Sequence, residues 1–291
     1  MVEPLDLGKG LETIVGLLVS LVLFDGGLNL RFPGGTIKSI VLRISSIRLV
    51  ISLAAGFLAA HWFAGLGWSV AGVYSAIVLA TGPTVVTPLI RQIRLSSPLS
   101  DVLEAEGLIL EPIGAVLALL LLELVVGDLH GWRELLLGLL SRLGGGVLIG
   151  SIAGLLLSEG LKRLRSEPYI GIRLQLTLGV IFLLYGVCEW LLPESGLPAS
   201  VAAGFVVGQR PSTQANELDK LIRELAQLAI TMLFPLLAAD VSWSELSPLG
   251  WGGITCVLFL MIRRPPRSTR VRSSAASDVY KRQPQRAQFP P

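Results

Sequence analysis

The chain has 291 residues, 52% of them hydrophobic and 15% charged, with a mean hydropathy of +0.69. A surface built for water carries nearer a quarter charged residues, so the composition excludes an ordinary soluble domain. The net charge of +3 comes wholly from the end: residues 1–260 hold 16 Lys/Arg against 20 Asp/Glu, and residues 261–291 hold 8 against 1.

Apolar runs long enough to cross a ~30 Å hydrocarbon core recur along the chain. They predict an all-α, polytopic membrane protein with about nine helices, near Leu11–Leu30, Val41–Phe63, Gly67–Ile90, Val102–Val126, Leu135–Leu157, Ile170–Leu192, Leu197–Val207, Leu218–Val241 and Leu249–Leu260. The first ends in Phe24-Asp25-Gly26-Gly27-Leu28-Asn29-Leu30. Asp25 lies past the middle of that span and is expected in a structural role, hydrogen-bonded to a neighbouring broken helix. The seventh segment is short, and its Gly and Pro content predicts a tilted or broken helix packed among others.

The third segment carries Thr81-Gly82-Pro83-Thr84-Val-Val-Thr87-Pro88. Two prolines and a glycine remove helical hydrogen bonds and leave carbonyls free. A break of that kind in lipid is tolerable only where protein or a water-filled cavity satisfies it. Freed carbonyls with hydroxyls alongside are hard oxygen ligands for a cation. In the fourth segment, Glu111 lies about eleven residues in from Ser100, roughly 16 Å at 1.5 Å per residue. An ionisable group at mid-bilayer depth is costly and marks an ion or proton path. Glu106 points about 140° away from Glu111 and is expected in an ion pair. Glu104 and Glu123 fall near the interfaces, where solvation accounts for them.

Cations alternate between the loops. Thirteen Lys/Arg flank the loops after segments one, three, five and seven, among them Arg31, Arg43, Arg48, Arg91, Arg94, Arg173 and Arg223; the other side has only Lys9, Arg133 and Arg142. By the positive-inside rule Met1 is outside and the loop Arg91–Asp101 cytoplasmic, in a cell (plasma) membrane. Trp62, Trp68, Trp132 and Trp190 then sit at outer helix ends as an interfacial belt. His61 and His130 fall at the same boundary and read as exposed. Cys188 and Cys256 lie in apolar runs and read as small buried side chains. No metal-ligand spacing, nucleophile motif or phosphate loop stands out, so neither an enzyme nor a resident cofactor is expected.

Met261-Ile-Arg-Arg-Pro-Pro-Arg-Ser-Thr269 and Ser273-Ser-Ala-Ala-Ser-Asp-Val-Tyr-Lys-Arg-Gln283 match in-frame translations of sequencing-library adapters. Residues 261–283 are therefore expected to be an artefact, residues 284–291 are unassigned, and nucleic acid is not an expected partner. The domain is taken as residues 1–260.

The string Leu23-Phe-Asp-Gly-Gly-Leu-Asn-Leu30, the break Ala80-Thr-Gly-Pro-Thr-Val-Val86 and Glu106-Gly-Leu-Ile-Leu-Glu111-Pro-Ile-Gly114 resemble, in collinear order, three helices of the monovalent cation:proton antiporter-1 family, bacterial sodium/proton antiporters. Gly204-Phe-Val-Val-Gly208 and Met232–Val241 resemble two later ones. The resemblance implies an incomplete copy of a larger inverted-repeat fold, beginning at the family's third helix. It implies exchange of sodium or potassium for protons by alternating access within a lipid bilayer, and a homodimer. Glu111 would stand where the family has an Asn-Asp pair and would bind proton and cation in turn. Thr81, Thr84 and carbonyls near Gly82 and Pro83 would complete the site. Glu106 would pair with an arginine on a later helix. A cation channel, or a fragment without transport, is the alternative; a membrane-embedded enzyme would need paired catalytic groups that the sequence does not display.

Overall fold

Helices account for the regular structure in the computed structural model, which describes residues 4–30, 35–79, 99–129, 131–164, 170–210, 216–240 and 250–263. In chain order they are α1 (Pro4–Asn29), α2 (Gly35–Trp62), α3 (Trp68–Leu79), α4 (Leu99–Val126), α5 (Trp132–Arg163), α6 (Ile170–Leu191), α7 (Gly196–Gly208), α8 (Asn216–Asp240) and α9 (Gly250–Arg263). All nine predicted segments correspond to a helix. Five carry spans long and apolar enough to cross a membrane: Gly10–Asn29, Val41–Trp62, Val102–Val126, Trp132–Arg163 and Ile170–Leu191. Several helices outrun their apolar runs, because backbone hydrogen bonding continues beyond the length that lipid covers. The described part of α9 runs through Arg263, three residues into the adapter-like stretch.

Two groups of helices meet along a seam. In the first, α7 lies between α1 and α5, with α6 and α8 outside them. Its sequence Gly-Leu-Pro-Ala-Ser-Val-Ala-Ala-Gly explains the central place: small residues allow neighbouring backbones close, and nine of its 13 residues are buried. Gly146, Gly150 and Gly154 of α5 fall on one face at four-residue spacing. A Cβ on Gly146 would come 2.5 Å from Ser195 O, and one on Gly154 2.7 Å from Ala203 O. Gly204 and Gly208 press in the same way on Phe24 and Leu28 of α1. Of the tilted or broken helix expected here, packed among others, the packing is present and the break is not. Pro198 falls in the first turn, where no intrahelical N–H bond is required, so the helix is short but continuous.

The N-terminus of α7 is held from below. Glu189 of α6 accepts hydrogen bonds from the Glu194 N–H at 2.8 Å and the Gly196 N–H at 3.1 Å. Ser195 Oγ donates to Cys188 O at 3.0 Å, and Glu194 takes a left-handed φ of 63° to close the turn. On the far side, α8 lays Leu218, Ile222, Ala226 and Ala229 into the shared core, a stripe at helical spacing.

The second group is α2, α3, α4 and α9. The buried face of α2 runs Val41, Ser45, Gly56, Ala59 and Ala60, and Gly56 lets α3 approach at Ser75. Leu23, Leu108 and Leu197 join the groups at one point, and Val116, Leu120 and Leu135 at another. Trp62, Trp68, Trp132 and Trp190 are 54–84% exposed at helix ends, as an interfacial belt requires. His61 is only half-buried, stacked on Trp68 at 3.6 Å, with Nδ1 2.8 Å from Leu66 O.

Candidate ion site and its neighbouring ion pairs

Glu111 is the thirteenth residue of α4, roughly 18 Å along the helix from Leu99 and within the apolar span Val102–Val126. Its Oε2 is buried and has no hydrogen-bond partner among the described residues. An unsatisfied carboxyl oxygen away from water costs on the order of 1–3 kcal/mol, which a bound cation, a proton or a donor outside the described residues would offset. Pro112, next in the chain, cannot donate to the Leu108 carbonyl, so the helix is already weakened beside the carboxylate.

Thr81, Gly82, Pro83 and Thr84 lie outside the described residues, as does residue 80. What can be placed is the approach to them. The α3 helix packs on α4 and ends its described part at buried Leu79, roughly 16 Å along the helix from Trp68. If α3 and α4 enter from opposite sides, Leu79 and Glu111 share mid-membrane depth. The described residues hold no group of three His, Cys, Asp or Glu arranged for a metal ion.

Glu106 meets a cation on α2, while the pairing with an arginine on a later helix that the resemblance implies falls outside the described residues. Arg48 Nη1 of α2 lies 3.0 Å from Glu106 Oε1, with the Glu106 side chain 1% exposed and that of Arg48 20%. Arg48 thereby leaves the set of cytoplasmic helix-end charges: it sits seven residues inside the span Val41–Trp62. The signal was available, since Arg48 follows Ser45 by three residues on the same helix face.

Two further polar links were not foreseen. Arg142 Nη2 of α5 donates to both Glu123 oxygens of α4, at 2.8 and 3.1 Å, so Glu123 is held by a partner rather than by solvent alone. Asn29 Nδ2 donates to Asp25 Oδ1 and to Asp25 O, each at 2.8 Å, and Arg223 of α8 donates to Asn29 Oδ1. Asp25 therefore belongs to a link between α1 and α8 made through Asn29 of its own helix, and not to the expected bond with a neighbouring broken helix among the described residues.

Between the helix groups runs a cavity of about 550 Å³, where Leu108, Ile109 and Pro112 of α4 face Val201, Ala202 and Phe205 of α7. Its walls are apolar apart from Ser151, whose hydroxyl is spent on Val147 O at 2.6 Å. Among the described residues, this lining presents no charged group to a cation.

A family model for "Sodium/hydrogen exchanger, transmembrane" matches residues 1–270. Among curated proteins, "Probable Na(+)/H(+) antiporter 2" of Methanocaldococcus jannaschii is 25% identical over 205 residues, covering 66% of this chain and 47% of its own length. "Na(+)/H(+) antiporter NhaH" of Halobacillus dabanensis is 24% identical over 262 residues, covering 86% of this chain and 64% of its own. The sodium proton antiporter MjNhaP1 of M. jannaschii, solved at pH 8, superposes with a TM-score of 0.56 at 22% identity, over 84% of this chain and 56% of that one. That likeness shows a common fold. The chain spans about half to two thirds of the length of the proteins it matches. With residues 1–270 matched by one family model, this protein belongs to the sodium/hydrogen exchanger transmembrane family.

Proposed function

We propose that the complete protein exchanges sodium for protons across the cell membrane, and that Glu111 carries the two in turn. The observation behind this reading is Glu111 Oε2, a buried carboxylate oxygen within an apolar span that lacks a partner among the described residues. Exchange then needs no chemical step. Proton and cation compete for one carboxylate, and the protein alternates between states open to either side. Thr81, Thr84 and the carbonyls near Gly82 and Pro83 complete the oxygen shell. Sodium is preferred over potassium because the names of the related proteins specify sodium.

Met1 is external, the loop Arg91–Asp101 is cytoplasmic, and the protein works as a homodimer. With Arg48 removed from the helix-end charges, twelve cations against three still favour that orientation. The test is sodium-driven proton movement in everted vesicles from a host lacking its own antiporters. Adding sodium should collapse a respiration-generated pH gradient when the complete protein is present. A response no larger than that of empty-vector vesicles, with the protein inserted and folded, would overturn the reading.

A further inference from the structure

Glu106 presents a problem that the exchange reading leaves open. It is five residues from Glu111 on the same helix, its side chain is 1% exposed, and it lies within an apolar span. A charge at this depth persists only if it is paired. Left uncompensated, it would also be a second carboxylate competing for protons and cations within two turns of the first. Arg48 answers both difficulties. It projects from the α2 stripe that holds buried Val41 and Ser45, and Nη1 lies 3.0 Å from Glu106 Oε1, a charge contact rather than an aligned hydrogen bond.

We infer that Arg48 is a positioning residue of the exchange site: its pairing with Glu106 fastens α2 to α4 and leaves Glu111 as the carboxylate of this stretch that exchanges ions. The two carboxylates of α4 point about 140° apart, so the pair occupies the face toward α2 without covering Glu111. Guanidinium suits the task because it stays protonated at any physiological pH, so the compensation does not lapse during a transport cycle. The transport consequence rests on the exchange reading above; the pairing does not.

A mutant cycle in the complete protein tests it, using Arg48→Gln, Glu106→Gln, the double variant and Arg48→Lys. Each is measured for melting temperature in detergent and for sodium-driven proton movement. Removing either partner should lower the melting temperature by about 5 °C or more, as for a broken buried pair, and abolish most transport. The double variant should recover most of the loss in both, since no unbalanced charge remains, and Arg48→Lys should keep most of the transport. Losses that simply add in the double variant, or an Arg48→Gln protein that melts and transports like the parent, would overturn the inference. If the parent protein transports but the cycle is additive, the pair alone fails. If the parent moves no protons while the cycle shows coupling, the exchange reading alone fails. Should Arg48→Gln not fold, recovery of folding in the double variant decides the matter.

Discussion

Glu123 of α4 and Arg142 of α5 form a two-point ion pair, at 2.8 and 3.1 Å, across the seam between the two helix groups. The helices are consecutive, so the pair closes a loop around Gly127, whose φ of 98° turns the chain. Both side chains are largely withdrawn from solvent, 23% and 13% exposed. Glu123→Gln is expected to destabilise the protein by about 1–3 kcal/mol, because it strands a charged guanidinium. The double variant Glu123→Gln/Arg142→Gln should cost less than the sum of the singles. Thermal melting in detergent reads this directly; strict additivity would mean that the pair contributes nothing of its own.

Glycines of α5 should divide sharply by position. A Cβ on Gly150 would overlap the backbone of Ala199, whereas one on Gly144 meets nothing within 4 Å. Gly150→Leu is expected to force α5 and α7 apart at a cost of about 1–3 kcal/mol or more. Gly144→Ala should be neutral or stabilising by up to about 1 kcal/mol through helix propensity. Melting temperatures of the two variants would settle the packing register, and equal effects would contradict it.

The helices were legible in the sequence because lipid demands long apolar runs, and each predicted run has its helix. Their ends were not, since the outer turns of α1, α2 and α5 are polar and held by backbone hydrogen bonds rather than by lipid. Position along α4 was legible for Glu106 and Glu111 from counting residues. Partnership was not: Arg48 and Glu106 are 58 positions apart, and Arg142 and Glu123 are 19 apart. Only the packing of α2 and α5 against α4 brings each pair together. The shortness and packing of α7 were legible from its glycines; its continuity was not, because Pro198 falls in a first turn where it breaks nothing. The break Thr81–Thr84 lies outside the described residues, so its pairing with Glu111 stands on the sequence and on the direction of α3.

Orientation can be tested on one helix. The α5 helix, Trp132–Arg163, is 32 residues long, roughly 48 Å at 1.5 Å per residue, enough to reach both surfaces. Trp132 is 71% exposed at one end, and the side chain of Lys162 is 36% exposed near the other. In a background lacking Cys188 and Cys256, Trp132→Cys should react with an impermeant maleimide on intact cells, and Lys162→Cys only after permeabilisation. The reverse pattern would invert the topology. Ser195, fully buried against Cys188, is unsuitable for such labelling.

The central claim is that Glu111 carries proton and cation in turn, and replacing that carboxylate tests it most directly. In everted vesicles holding the complete protein, Glu111→Gln should leave insertion and melting temperature nearly unchanged, because a neutral amide of the same shape removes a buried charge without leaving a void. It should nevertheless abolish sodium-dependent proton movement at every pH tried, while Glu111→Asp keeps part of it with a shifted pH profile. Sodium-dependent proton movement by Glu111→Gln at a rate near that of the parent would contradict the account and take Glu111 out of the transport cycle.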